Sequence, residues 1–294
     1  MSSPETAGVP ACYRHPGRET YVRCTRCDRY ICPECMREAP VGHQCVECVQ
    51  EGHKTVRRAR TVFGGQVTAK PVVTYTLISL NVLIYLAELV NSSVVTRFDM
   101  VGEELTRSGQ MYPGAGVAGG EWWRLITGAF LHAPPGVGSL WITHLLFNMW
   151  ALFVLGTQLE VLLGPGRYLT LYLLAALGGH VLIYLVDPQQ PSLGASGAIF
   201  GLFGAYFVVA RKLRADTRGI VFLLMINLFI TFSVPGIAWQ AHVGGLVTGT
   251  VLAVAFVHAP AARRTAVQVG ASVAVAVLLL ILVAVQTAAL TSLP

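Results

Sequence analysis

The sequence predicts an all-α polytopic membrane protein with a small zinc-binding domain at its N-terminus. Three observations lead there. Charged residues make up 12% of the chain, about half the share of an ordinary soluble domain. Apolar runs near the ~20 residues that cross a bilayer as a helix recur after residue 70. All seven cysteines fall between positions 12 and 48, so the remainder carries none. The opening MSSPETAGVP has neither a basic nor an apolar signal region, and a secretory signal is not expected there. The net charge of +6 comes from short basic clusters beside apolar spans, as membrane orientation requires. No nucleic-acid partner is expected.

The cysteine region, residues 1–53, is built of four pairs. They are Cys12-x2-His15, Cys24-x2-Cys27, Cys32-x2-Cys35 and Cys45-x2-Cys48. A pair on a tight turn points two donors at one tetrahedral ion, and two pairs complete one zinc site. Eight ligands therefore suit about two Zn2+ ions, with His43 as an alternative to Cys45. The spacing resembles a B-box-type zinc finger, whose pairs alternate between sites. That resemblance implies one ion on Cys12, His15, Cys32 and Cys35 and another on Cys24, Cys27, Cys45 and Cys48. With every ligand position filled, the metal is read as structural. So short a segment cannot bury an adequate core, and metal supplies its folding energy. It is read as a docking or regulatory module for a cytoplasmic protein partner. Thiolate ligands place it on a reducing side.

Residues 54–70 form a basic linker holding five Lys or Arg. Apolar spans follow at about 72–91, 141–160, 167–186, 196–211, 219–234, 239–258 and 266–290. This predicts six helices over 71–258, then a loop and a seventh helix over 259–294. The linker, the cluster Arg211, Lys212, Arg214 and Arg218, and the pair Arg263 and Arg264 mark one side. Segments 187–195 and 235–238 contain no Lys or Arg. The positive-inside rule then puts the N-terminus in the cytoplasm and the C-terminus outside. Segment 92–140 is a long outer loop, in which Trp122 and Trp123 read as interfacial anchors.

Four polar side chains stand where they are costly: His144, Asn148, Ser196 and His242. Such groups usually face the protein interior, and a lone Ser or His is more often a helix–helix hydrogen bond than a catalyst. Their shared depth separates them from that case. Each lies near the outer end of a span that enters from outside, and His144 and Asn148, four apart, share a helical face. Gly197, Gly201 and Ala205 repeat every four residues after Ser196, as do Ala241, Gly245 and Gly249 around His242. Two such small-residue faces let helices approach closely and would bring Ser196 against His242. A serine needs an adjacent base to act as a nucleophile. No acidic residue lies in either motif, so the expectation is a dyad. Asn148, His144 and the Ser196 N–H could donate to a developing oxyanion.

These residues carry a family resemblance. Trp123-Arg124, His144-LLF-Asn148, Gly194-Ala195-Ser196-Gly197 and Ala241-His242-Val243-Gly244-Gly245 follow the order seen in rhomboid intramembrane serine proteases. The chain resembles that family over roughly residues 72–258. The resemblance implies a six-helix core, found in some members with a seventh helix. It implies Ser196 as nucleophile, His242 as base, and His144 and Asn148 lining the oxyanion pocket. It implies that Phe200 packs by the catalytic histidine. It also implies transmembrane protein substrates cut near the outer leaflet, with no cofactor for catalysis. The expected location is a bacterial plasma membrane. The segment APPGVGSLWIT between His132 and His144 is longer than in many relatives. Two other functions compete. An inactive helix-binding relative would usually lack the Ser or His, and both are present. A zinc peptidase or ion-coupled transporter would need HExxH, which is absent, or carboxylates in the spans, which the spans are read as lacking.

Overall fold

The computed structural model describes residues 8–55, 59–103, 115–133 and 141–292. The chain divides into two compact units, 1–58 and 59–294. In the first, strands β1 (Met36–Glu38) and β2 (His43–Cys45) pair antiparallel, with Met36 opposite Cys45 and Glu38 opposite His43. Gly42, at φ +66°, closes the hairpin in a conformation open to glycine. Helix α1 (Val46–Thr55) follows directly. The buried cluster of this unit is six cysteines and Ile31, with Tyr13 and Met36 packed on it.

The second unit is helical. Among the described residues, seven helices of 16 residues or more succeed one another: α2 (Val72–Val90), α5 (Trp141–Leu163), α6 (Pro165–Val186), α7 (Ser196–Lys212), α8 (Arg218–Ser233), α9 (Trp239–His258) and α10 (Arg264–Thr291). Between α2 and α5 lie two short helices, α3 (Ser93–Phe98) and α4 (Arg124–Thr127). Among the described residues, five stretches, 72–90, 142–163, 165–186, 239–258 and 261–291, are long and apolar enough to cross a membrane. The second long helix runs further than its hydropathy suggests. It ends only at Gly164, whose φ of +82° breaks the chain before Pro165 starts the next. Part of the long segment ahead of α5, including residues 134–140 of its insertion, lies outside the described residues.

Helix α7 forms the centre. Twelve of its 17 residues are buried, against two of 16 in α8 and three of 28 in α10. Seventeen residues rise only about 25 Å, less than the ~30 Å hydrocarbon core. Protein neighbours rather than lipid cover this helix. It meets α9 along the two glycine faces. A Cβ at Gly245 would collide with the Gly197 carbonyl, and one at Gly249 with the Gly201 backbone. Backbone thus touches backbone where side chains would hold the helices apart.

The spans do contain carboxylates, contrary to the sequence reading. Glu160 and Glu88 are fully or almost fully buried, at 0% and 1% exposure. Glu160 accepts the N–H groups of Val73 and Thr74 at 2.9 and 2.8 Å and the Thr74 hydroxyl at 2.8 Å. It caps the start of α2, where exposed N–H groups and the helix dipole favour an anion. Glu88 accepts the His132 N–H, both oxygens at 3.2 Å. Both carboxylates accept hydrogen bonds from the protein, Glu160 from two N–H groups and a hydroxyl and Glu88 from one N–H, which is a structural use.

Candidate active site and metal centres

Ser196 is the first residue of α7 and half-buried; His242 lies in the first turn of α9 and is buried. The close glycine crossing brings them together. His242 Nε2 stands 2.9 Å from Ser196 Oγ. Phe200, one turn along α7 from Ser196, stacks on the imidazole with ring centres 4.2 Å apart and planes 11° from parallel. His242 Nδ1 lies 2.7 Å from the Thr231 hydroxyl on α8, a partner that the sequence reading did not single out.

The chain before Ser196 is held by the segment between α2 and α5. Met100 and Ser192 exchange two backbone hydrogen bonds of 2.8 Å, and the Gly194 N–H donates to Gly128 O at 2.9 Å. Gly194 has φ +125°, which disfavours any other residue. A Cβ there would stand 2.8 Å from His144 Cε1 and 3.8 Å from Ser196 Oγ. His144 and the Ser196 hydroxyl therefore face the same bare glycine. Asn148, one turn further along α5, is 6% exposed, and its side-chain NH2 has no hydrogen-bond partner. A buried donor left unpaired costs about 1–3 kcal/mol, so this amide stands ready for an acceptor. His132 packs its ring on His144 at 5.2 Å.

The described residues of this segment, 92–103 and 115–133, are tied together by further hydrogen bonds and ion pairs. Arg124, 3% exposed, binds Asp99 at 2.7 Å and Glu121 at 2.6 Å, and also the Asp99 carbonyl at 3.0 Å. Trp122 and Trp123 project outward, at 48% and 45% exposure. The buried His180 of α6, also missed in the sequence, bonds through Nδ1 to Leu125 O at 2.9 Å. It ties this segment to α6.

In the first unit the sulfur and imidazole donors gather in two groups: Cys12, His15, Cys32 and Cys35, and Cys24, Cys27, Cys45 and Cys48. All donor atoms of a group lie within 4.8 Å of one another. His43 is in neither group. A tetrahedral ion with ~2.3 Å bonds separates its sulfurs by roughly 3.8 Å, and Cys27 and Cys45 are 3.7 Å apart. The Cys45 N–H donates to Cys24 Sγ at 3.2 Å and the Cys48 N–H to Cys45 Sγ at 3.3 Å. Arg29 donates to Cys27 Sγ at 3.3 Å and holds that thiol below its ordinary pKa. Donors of this kind stabilise thiolates. Both groups could hold a metal ion, and no cysteine is tied in a disulfide.

Residues 119–259 match the rhomboid domain model. Over 143 residues the chain is 39% identical to the rhomboid-family protein YdcA of Bacillus subtilis (strain 168); this covers 47% of the chain and 68% of YdcA. The chain belongs to the rhomboid family. It is also 38% identical over 185 residues to the rhomboid protease GluP of the same organism, covering 61% of the chain and 34% of GluP. With the mitochondrial RHOMBOID-like protein 6 of Arabidopsis thaliana it shares 36% identity over 140 residues, 45% of the chain and 43% of that protein. The match thus spans about a third of GluP and two thirds of YdcA. All four polar residues singled out in the sequence, Trp123 and Arg124 lie inside the matched domain. With its apolar helices, this rhomboid chain is an integral membrane protein.

Proposed function

We propose that the chain is an intramembrane serine endopeptidase that cuts transmembrane segments of membrane proteins near the outer leaflet. The observation that carries this reading is the 2.9 Å approach of Ser196 Oγ to His242 Nε2 inside the matched domain. Ser196 attacks the scissile carbonyl carbon while its proton passes to His242 Nε2. The Asn148 amide, with His144 and the N–H at the start of α7, donates to the oxyanion. Collapse breaks the C–N bond as Nε2 returns the proton to the leaving amine. Water activated by the same imidazole then releases the acyl group from Ser196.

Seven crossings put the two ends of the chain on opposite sides. The basic residues near α2, after α7 and before α10 favour a cytoplasmic N-terminus in a plasma membrane. Ser196 and His242 then open toward the outer side, where water can enter a cavity lined by protein. The first unit is read as binding two structural zinc ions.

The test uses purified full chain in detergent with a single-span substrate carrying Gly at its outer end. We expect cleavage, and covalent labelling of Ser196 by a fluorophosphonate, located by peptide mass spectrometry. Label on another serine, or cleavage that survives complete labelling of Ser196, overturns the proposal. Asn148→Ala should lower kcat by up to ~10²–10³-fold with KM little changed. An unchanged kcat would make Asn148 a packing residue.

A further inference from the structure

Helix α8 contributes little to the interior. Among its described residues only Ile220 and Thr231 are buried. Thr231 is 3% exposed and sits near the end of the helix, two residues before its last, Ser233. It makes two short contacts. Its hydroxyl lies 2.7 Å from the Asn227 carbonyl one turn back, and 2.7 Å from His242 Nδ1.

A hydroxyl has one proton and can also accept. The Asn227 carbonyl can only accept, so the Thr231 proton points there, the usual back-bond of a helical threonine. Toward His242 the Thr231 oxygen can then only accept. Nδ1 must carry a hydrogen, and a neutral imidazole with Nδ1–H has a bare lone pair on Nε2. That lone pair faces Ser196 Oγ at 2.9 Å. The opposite tautomer would turn the Thr231 proton away from Asn227 and place a hydrogen between Nε2 and Ser196. It could not take the serine proton.

We propose that Thr231 is a positioning residue for His242, holding the imidazole in the tautomer whose Nε2 accepts the Ser196 proton. The inference rests on the serine-protease reading above. The oxygen keeps its acceptor role throughout the step. When Nε2 gains the proton from Ser196, Nδ1–H still donates to Thr231, and the bond strengthens as the ring becomes cationic. When Nε2 gives that proton to the leaving amine, the starting tautomer is restored. Phe200 fixes the ring plane from one face, while Thr231 fixes which nitrogen is protonated. The dyad thus takes its third member from a helix whose sequence offers no acid.

The test measures kcat and KM with the same substrate, and the rate of fluorophosphonate labelling, for Thr231→Val, Thr231→Ser and Ser196→Ala. Valine keeps the shape and removes the acceptor; serine keeps the acceptor. Thr231→Val should lower kcat and labelling rate about 10- to 100-fold with KM within about twofold, less than the ~10²–10⁴ supplied by acid–base catalysis as a whole. Thr231→Ser should recover most of the loss. Wild-type kcat in Thr231→Val, or Thr231→Ser as slow as Thr231→Val, overturns the proposal. Should the valine variant not fold, Thr231→Ala replaces it under the same criteria. Ser196→Ala separates the two readings. If it still cleaves, the protease reading itself fails; if it is dead while Thr231→Val is normal, only the role of Thr231 fails.

Discussion

Ser196→Ala and His242→Ala should each bring substrate cleavage below detection, and the double variant should be no worse than either alone. The reason is geometric. On the proposed mechanism, with 2.9 Å between Oγ and Nε2, the two side chains share one proton transfer, and removing either end removes the whole event. Losses on the order of 10⁵–10⁶-fold per variant are the size expected when nucleophile and base act as one unit. Independent contributions would instead multiply. Neither change should disturb the fold. Ser196 is half-buried at a helix start, and alanine lengthens nothing. His242→Ala removes a ring that stacks on Phe200 and bonds through Nδ1 to the Thr231 hydroxyl; the α7–α9 crossing itself is made by glycine backbone. Unchanged gel-filtration profiles and thermal midpoints within a few degrees should accompany the loss. Activity retained in either single variant would overturn the dyad.

What the sequence made legible follows from what is costly in a membrane. A histidine or asparagine in an apolar run needs a reason, and the shared depth of His144, Asn148, Ser196 and His242 supplied one. Glycines at four-residue spacing foretold a close approach, because only a missing side chain permits it. Thr231 escaped for the opposite reason. A threonine in an apolar helix is cheap, since its hydroxyl can bond one turn back, and nothing in its spacing tells that it also faces a histidine on another helix. His180, Glu88 and Glu160 had partners too distant in sequence to guess: Leu125, His132 and the start of α2. The end of α5 was misplaced because hydropathy does not register a helix stop. That stop is Gly164 with Pro165, a matter of backbone angle and a missing donor.

Removing metal should unfold the first unit and leave the chemistry of the second intact. The buried cluster of residues 8–55 is six cysteines and Ile31, so almost no apolar surface is available to offset chain entropy. Bound zinc supplies apparent free energies of ~10–16 kcal/mol in small zinc-finger peptides, far more than such a core could. The two ligand groups are also interleaved. One closes the chain from Cys12 to Cys35 and the other from Cys24 to Cys48, so the segment between Cys24 and Cys35 belongs to both loops. Losing one ion should therefore loosen the other. Elemental analysis of the purified chain should find about two zinc ions. Cys32→Ala and Cys24→Ala should each lower that number by more than one. A strong chelator should expose residues 8–55 to protease, while the fluorophosphonate labelling rate at Ser196 stays within about twofold. A stoichiometry near one, or loss of a single ion in each variant, would mean that the two groups do not fold as a unit. A first unit that resists protease without metal would show that its fold does not depend on the ions at all.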